Sequence, residues 1–407
     1  MTLSAQMTGL AEELAAKPPE DRRMVIRRAT MIALIAFLTL IDLFGSQALL
    51  PTLVETYGVS PAAMGFAVNA STIGMALASL GVSLFARRID RKRGIWLCLA
   101  LLSVPTLLLA AADDLTTFTL LRIAQGVFMS AALTLTLTYL SEECSLTAIG
   151  GAMAAYITGN VASNLFGRLL ASELAGTLGL AESFYGFALL NLTGAVIAYI
   201  YIGARDGTAQ AAATGGMSML AAWRDHLRNA QLMAMIGIGF ILLFVFVATF
   251  TYANFVLAQA PFALPQTMIG LVYLIFAPAI LTTPLAAAFV ARLGARASFH
   301  GAIVATLLGL LLLLTPILPL FLLGLTLVGA GLFFAQSVAT SYVGRTATHD
   351  HAAANGLYLA SYYLGGITGA FIIGQVFEAR GWAVAVLSLV ILTALALVLS
   401  RNMRADR

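Results

Sequence analysis

The chain has 407 residues, of which 60% are apolar and 10% charged, and its formal net charge is +4. A soluble domain carries about 25% charged residues, because it must cover its surface with polar groups. This composition excludes a soluble globular protein and predicts an all-α polytopic membrane protein, since helices satisfy their own backbone hydrogen bonds in lipid.

Apolar runs of membrane-spanning length recur along the whole chain. A helix needs about 20 apolar residues to cross the hydrocarbon layer of a bilayer. Runs of this kind occupy residues 30–52, 63–85, 95–112, 115–139, 147–172, 183–203, 231–257, 267–290, 299–317, 319–342, 353–377 and 381–400. We therefore predict twelve transmembrane helices, called spans one to twelve in that order.

The basic residues lie almost entirely on one side of the predicted membrane. Among the 22 lysines and arginines, Arg122 and Arg168 lie within spans and Arg380 lies in a loop on the other side. The remaining ones fall in the terminal segments and in alternate loops. Because loops rich in Lys and Arg stay in the cytoplasm, the pattern predicts a bacterial inner-membrane protein with both termini cytoplasmic.

The longest predicted connection divides the chain into two halves. Residues 204–229 are rich in Gly, Ala, Thr and Ser, which is typical of a linker. This cytoplasmic linker separates an N-terminal six-helix bundle at 30–203 from a C-terminal six-helix bundle at 230–400. Residues 1–29 form a cytoplasmic N-terminal segment, and residues 401–407 form a cytoplasmic tail.

The two predicted halves resemble each other in sequence. A shift of about 204 residues brings Gly126 and Phe128 of span four onto Gly331 and Phe333 of span ten, as in transporters built from parallel repeats. Such transporters hold their substrate near the middle of the membrane, between the halves. Rocking of one half against the other then exposes the site to each side in turn.

Two motifs carry a resemblance to a known family. Span four contains Leu-Arg-Ile-Ala-Gln-Gly at 121–126, and the loop after span two is the basic stretch 83–93, in which Arg87 and Asp90 depart from the usual Asp and Gly. These motifs resemble the Arg-x-x-Gln-Gly motif and the loop signature of the major facilitator superfamily. The resemblance implies the twelve-helix fold of that family, with two six-helix bundles, over essentially the whole chain.

Further stretches resemble the drug/proton antiporter branch of that family. Residues 155–168 of span five are similar to the antiporter motif, with Asn160 at a position usually held by Pro, and the stretches 333–336 and 356–363 resemble the YnfM-type exporters. The resemblance implies efflux of a small organic molecule in exchange for protons. The expected partners are that molecule, protons and the lipid bilayer, and the expected state is a monomer.

Asp42 and Arg122 are the predicted proton-coupling group and its charge partner. Ionisable groups inside the bilayer cost about 2.5–3.5 kcal/mol each on insertion scales, so they mark functional positions. Asp42 lies about 18 Å from the cytoplasmic start of span one and Arg122 about 11 Å from the outer start of span four, which are similar depths in a core about 30 Å thick. Arg122 could instead bind an anionic substrate, or the pair could be a fixed ion pair that joins the two spans.

Other polar and aromatic side chains are weaker candidates for the transport pathway. The cavity candidates are Asn69, Asn160, Asn164, Tyr252, Asn254, Gln336, Tyr358 and Tyr362, with Asn191 as a further amide that could line the pathway. Amides also join helices by hydrogen bonds, and aromatic residues at helical spacing often only pack. The candidates for a cytoplasmic gate are Arg87, Arg88 and Arg91 with Glu142 and Glu143. Glycines such as Gly74 and Gly365 are expected at close helix crossings.

Several classes of function lack support in the sequence. There is no phosphate-binding loop of the Gly-x-x-x-x-Gly-Lys-Ser/Thr type, and we expect no catalytic residue, cofactor, metal site or nucleic-acid partner. The leading hypothesis is a proton-coupled exporter. The alternatives are a metabolite importer or facilitator with the same fold, and a non-transporting membrane enzyme or scaffold.

Overall fold

The structure is a computed structural model, and it describes residues 22–85, 89–143, 149–202, 219–346 and 351–403. Nearly all of these residues are helical, and the described ranges contain no β-strand. The prediction of an all-α protein is therefore confirmed. A short helix, Met219–His226, lies within the predicted linker.

The helices follow the predicted order of twelve spans. Spans one to six are Arg22–Ala48 with Leu50–Tyr57, Pro61–Asn69 with Ser71–Phe85, Arg91–Leu109, Leu115–Glu143, Ile149–Thr177 and Leu180–Tyr201. Spans seven to ten are Ala230–Ala258, then Gln266–Val272 with Ala277–Thr282 and Ala286–Leu293, then Ala295–Leu312 and Leu318–Thr346. Spans eleven and twelve lie within His351–Leu399. The chain therefore crosses the bundle twelve times within the described ranges.

Length and composition agree with a membrane setting. Nine helices of the described part are apolar and long enough to cross a membrane, and one of these, Ala353–Asn402, is long enough for two crossings. Gly381 divides it, because its φ of 77° is non-helical and favours glycine. Spans five and eight complete the set of twelve. Span eight is interrupted by two 3-10 turns near Pro278 and Pro284, and proline removes a helical hydrogen bond.

Span one extends further than the hydropathy pattern predicts. The apolar run ends near residue 52, but a second helix, Leu50–Tyr57, continues past the break at Leu49. Pro51 lies in the first turn of that helix, where its missing N–H costs nothing. The Tyr57 hydroxyl donates to the carbonyl oxygen of Ala112 at 2.6 Å and so fastens the extension to the end of span three.

Close helix crossings hold each half together. Spans one and five, two and four, and three and six pack in the first half, whereas spans seven and eleven and spans nine and ten pack in the second. A Cβ added to Gly74 would overlap the carbonyl oxygen of Ile123, and one added to Gly365 would overlap that of Phe240. The predicted role of these glycines in close crossings is thus confirmed.

The two halves meet along spans two and eleven and along spans five and eight. We call the end of the bundle formed by residues 58–60, 110–114 and 259–265 the distal end, and the opposite end the terminal end. Close to the distal end, the backbone N–H of Ala62 donates to Glu378 Oε1 at 2.7 Å, across the two halves. The two halves are therefore in contact at the distal end.

Candidate functional site

Asp42 lies in the interior of the first half. Its side chain is fully buried. Its Oδ2 atom accepts hydrogen bonds from Thr106 Oγ1 at 3.1 Å, Gln125 Nε2 at 2.9 Å and Asn191 Nδ2 at 3.2 Å. Its Oδ1 atom is buried without a hydrogen-bond partner. One oxygen of the carboxyl group thus faces two amide donors and the hydroxyl of Thr106, whose single hydrogen it shares with the carbonyl oxygen of Leu102 at 2.8 Å, and the other oxygen has no partner.

Arg122 lies next to this site but does not bind Asp42 directly. Its Nη1 donates to Gln125 Oε1 at 2.6 Å, and the amide nitrogen of Gln125 donates in turn to Asp42. The other two nitrogens of the guanidinium donate to the carbonyl oxygen of Val68 at 2.9 Å and to Ser71 Oγ at 3.2 Å. The predicted near-pair of Asp42 and Arg122 is therefore joined through Gln125.

These side chains form one polar network within one bundle. We call Asp42, Thr106, Arg122, Gln125 and Asn191 the intrabundle network. Its members and the two span-two acceptors come from spans one, two, three, four and six, all in the first half. Gln125 could have been found from sequence, because it lies three residues after Arg122 on the same helix face. The contribution of Thr106 depends on how span three packs against span one.

A second buried arginine, Arg168, lies where the two halves meet. It is fully buried, and its Nε donates to Asn164 Oδ1 at 3.0 Å while its Nη2 donates to Gln47 Oε1. Its guanidinium carbon lies 4.2 Å from the ring centroid of Tyr273, in the second half, which is within cation–π range. Its Nη1 is buried and has no hydrogen-bond partner.

Amide side chains continue this arrangement across the interface. Gln47 Nε2 donates to Asn69 Oδ1 at 2.7 Å, and Asn69 Nδ2 donates to Thr251 Oγ1 at 3.0 Å. Asn254 Nδ2 donates to the carbonyl oxygen of Gln47 at 2.9 Å, and its Oδ1 accepts from the Tyr273 hydroxyl. Two of these bonds, from Asn69 and from Asn254, join the two halves directly.

We call Gln47, Asn69, Arg168, Asn254 and Tyr273 the interface network. Of the predicted cavity residues, it brings together Asn69 and Asn254, with Asn164 bound to Arg168. The sequence places Arg168 inside span five, but the proton-coupling hypothesis does not use it. Arg168 lies nine residues before Thr177, about 14 Å from the distal end of its helix. Arg168 could have been found from the sequence, because it is the third ionisable residue within a predicted span, after Asp42 and Arg122.

The remaining cavity candidates lie elsewhere on the interface and in the second half. The Tyr252 hydroxyl donates to the carbonyl oxygen of Ala370 at 2.5 Å, which joins spans seven and eleven. Tyr358 and Tyr362 stack with ring centroids 6.3 Å apart, and the Tyr362 hydroxyl interacts with Gln336. These four side chains therefore do not share a site with Asp42.

Asn160 belongs to neither network. It interacts with Tyr156 one turn earlier on span five, and its own Oδ1 is buried without a hydrogen-bond partner. It lies eight residues, about 12 Å, toward the terminal end from Arg168. The two predicted span-five amides, Asn160 and Asn164, are one turn apart, about 6 Å along the helix, and lie on the same helix face.

The predicted cytoplasmic gate falls mostly outside the described part of the chain. Arg87 and Arg88 are not described, nor are the side chains of Glu142 and Glu143. Arg91 is described, and its Nη1 donates to the carbonyl oxygen of Ile89 at 3.0 Å. The gate stays a prediction.

Comparison with known proteins gives consistent relatives. The family model of the Major Facilitator Superfamily matches residues 32–277 and 253–405. The chain is 29% identical over 345 residues to the MFS-type transporter YybF of Bacillus subtilis (strain 168), covering 84% of each chain. It is 27% identical over 340 residues to the inner membrane transport protein YnfM of Escherichia coli (strain K12), covering 84% of this chain and 81% of YnfM.

A solved structure of similar architecture supports the same fold. The human organic anion transporter MFSD10 (TETRAN) matches with a TM-score of 0.70 at 18% identity, covering 94% of this chain and 100% of that one. At such low identity the likeness concerns the fold alone. The twelve spans in two halves, the matched family model and these relatives lead to one conclusion: this chain belongs to the major facilitator superfamily and is a multi-pass membrane transporter.

Proposed function

We propose that this transporter exports a small organic molecule in exchange for protons, by alternating access, and that Asp42 carries the proton. The observation that carries the proposal is the fully buried carboxyl group of Asp42, with three donors on one oxygen and none on the other. Ionisable groups at membrane depth are costly and are retained where they act.

The surroundings of Asp42 suit a group that changes its protonation state. Burial disfavours a charged carboxylate, whereas hydrogen bonds and a nearby cation favour it. Here three donors and the guanidinium of Arg122, acting through Gln125, oppose the cost of burial. A proton added at Oδ1 would break none of the three bonds to Oδ2. The exchange therefore needs little rearrangement of the network.

Arg122 acts in this proposal as the fixed charge partner of Asp42. All three of its nitrogens already donate to acceptors of the first half, which hold the guanidinium in place beside Asp42. Export rather than import is proposed from the similarity of span five to the antiporter motif. The cytoplasmic termini of the proposed orientation follow from the distribution of Lys and Arg in the loops.

The test measures proton movement in everted membrane vesicles that contain the full chain. A thermal-shift screen of drugs, sugars, amino acids and organic acids first supplies a compound that stabilises the purified protein. In vesicles with an acidic lumen, adding this compound should release protons from the lumen. Asp42→Asn should abolish that release, whereas Asp113→Asn, the same change at an exposed loop residue, should not.

Two outcomes would overturn the proposal. Full proton release by the Asp42→Asn protein would remove Asp42 from the coupling role. Movement of the compound by the unmodified protein without any proton flux would identify a facilitator instead. Counterflow of the compound, which needs no gradient, should survive in the Asp42→Asn protein and shows that the variant is folded.

A further inference from the structure

Three buried hydrogen-bond donors without acceptors lie in a row on span five. They are Asn164 Nδ2, Arg168 Nη1 and Ser172 Oγ, and we call these residues the donor row. Their side chains are 0%, 0% and 2% exposed. Since they are spaced four residues apart, they lie on one helix face at intervals of about 6 Å.

The donor row carries a positive charge that lies 4.2–5.9 Å from four aromatic ring centroids but has no carboxylate partner among the described residues. No carboxylate of the described residues forms an ion pair with Arg168; its hydrogen bonds go to the amide oxygens of Asn164 and Gln47, and it also interacts with the Tyr273 hydroxyl. The hydrogen bond from Arg168 orients the amide group of Asn164. The amide oxygen faces the guanidinium, and the amide nitrogen remains as a donor without an acceptor. A buried cation without a counter-ion is strongly unfavourable, so binding of an anionic acceptor would stabilise the row.

The donor row lies between the two halves. Tyr273 of span eight covers the guanidinium, and a Cβ added to Gly270 would approach Ser172 Oγ to 2.8 Å. Parting of spans five and eight would therefore uncover the guanidinium of Arg168 and the hydroxyl of Ser172 together. Transporters with two repeated halves bind their substrates at such an interface, near the middle of the membrane.

A cavity of about 610 Å³ begins at one end of the row, at Ser172. Its wall is apolar and includes Phe37, Ile41, Phe166, Leu190 and Leu271. Phe166 and Leu271 are 51% and 57% exposed, so the cavity opens on the perimeter that faces lipid. Its one charged lining residue, Glu173, is exposed and lies four residues from the distal end of span five.

We propose that the donor row binds the anionic group of an organic acid and that the adjacent cavity takes its apolar body. The acid is the transported substrate, so this inference rests on the proposed transport function. The volume fits, because small-molecule pockets measure about 300–1,000 Å³ and are mostly apolar with a few polar groups. Arg168 provides the charge, and Asn164 and Ser172 provide neutral donors on either side.

Binding to the purified full chain tests the proposal with paired probes. The probes are acetate, benzoate and decanoate, each compared with its uncharged amide, in a chloride-free buffer. We expect benzoate, decanoate or both to raise the apparent melting temperature, and their amides and acetate not to do so. Benzoate alone would indicate an acid taken from water, and decanoate alone would indicate one taken from the membrane.

Substitutions then assign the binding to the row. Arg168→Gln should weaken carboxylate binding at least tenfold, and Arg168→Lys should weaken it less because the charge remains. Arg380→Gln removes an exposed arginine at the distal end and should change nothing. If Arg168→Gln does not fold, the Arg168→Lys variant and the comparison of acids with amides on the unmodified protein still test the proposal.

Three results would overturn the inference: equal stabilisation by acids and amides, no stabilisation by any carboxylate, or unchanged carboxylate affinity in a folded Arg168→Gln protein. Its failure can be separated from failure of the proton hypothesis. Asp42→Asn should lose proton release and keep carboxylate binding. Carboxylate binding at Arg168 together with unaltered proton release in Asp42→Asn would leave this inference standing and reject Asp42 as the proton carrier.

Discussion

The intrabundle network and the interface network each contain a fully buried arginine, but the two arginines are bound differently. All three nitrogens of Arg122 donate to acceptors within the first half. Only two of the three nitrogens of Arg168 have acceptors, and a ring of the second half covers it. All members of the first network belong to the first half, whereas the second network includes residues of both halves.

The difference suggests a division of labour between the two networks. A group that belongs to one bundle keeps its partners when the halves rock, so it suits a charge that must be held through the whole cycle. A group at the interface loses partners when the halves part, so it suits a ligand that comes and goes. The following experiments test this contrast, from the largest expected effect to the smallest.

Arg122→Ala should reduce proton-coupled transport by at least about a hundredfold. The substitution leaves Gln125 and Asp42 without the cation that opposes the burial of a carboxylate, and breaking a buried charge network costs about 3–5 kcal/mol. Proton release in everted vesicles measures the effect. Arg380→Ala, at an exposed position, is the matched control. Normal transport and coupling in the Arg122→Ala protein would show that the intrabundle network has no part in the mechanism.

Gly126→Ala should lower the thermal stability of the purified protein. The added Cβ would overlap the carbonyl oxygen of Ser71, which belongs to the residue that binds Arg122. Overpacking of this kind costs about 1–3 kcal/mol. Gly301→Ala provides the control, because nothing lies within 4 Å of a Cβ at Gly301. Equal melting temperatures for the two variants would mean that spans two and four do not approach as closely as described.

Gln125→Met keeps the length of the side chain and removes the bridge between Arg122 and Asp42. Buried groups left without partners cost about 1–3 kcal/mol, so we expect a lower melting temperature and weaker proton coupling. The control is Gln259→Met, which makes the same substitution at an exposed position that has no buried partner. A Gln125→Met protein as stable as Gln259→Met would contradict the bridging role.

Asn254→Leu should open the distal end without disturbing the intrabundle network. One hydrogen bond contributes about 0.5–1.5 kcal/mol, so loss of the bond to the Gln47 carbonyl should raise the ratio of open to closed protein about 2–10-fold. Spin labels at Thr56 and Gln259, both exposed at the distal end, would report the distance between the halves.

The same labels on an Asp42→Asn background provide the comparison for that experiment. Asp42 has no described hydrogen bond to the second half, so its substitution should change the label distances less than Asn254→Leu does, through the loss of charge alone. If Asn254→Leu and Asp42→Asn opened the distal end equally, the two networks would not differ in their effect on the interface. No change in the Asn254→Leu protein would show that the bonds across the interface do not hold it closed.

Much of the fold could be predicted because the solvent is lipid. In lipid, each crossing must be an apolar helix of a given length, so hydropathy located all twelve spans. The errors fall where a local rule overrode hydropathy. Span one was predicted to end at residue 52, but Pro51 lies at the start of a helix that runs to Tyr57, and Pro278 and Pro284 divide span eight into short pieces.

Part of the candidate site could be predicted as well. Asp42 and Arg122 were identified as rare charges inside spans, and both are fully buried. Their connection through Gln125, and the addition of Thr106 and Asn191, depend on spans three, four and six facing span one at one level. Such rotations of neighbouring helices are set by packing, which a single sequence does not display.

By itself the sequence determined which residues are charged, how many times the chain crosses the membrane, and that an acid and two arginines lie within its spans. Only the tertiary structure decided which arginine has an acceptor at each of its three nitrogens and which does not. The physical reason is that hydropathy depends on composition along one helix, whereas the satisfaction of a buried donor depends on what other helices bring within about 3 Å of it.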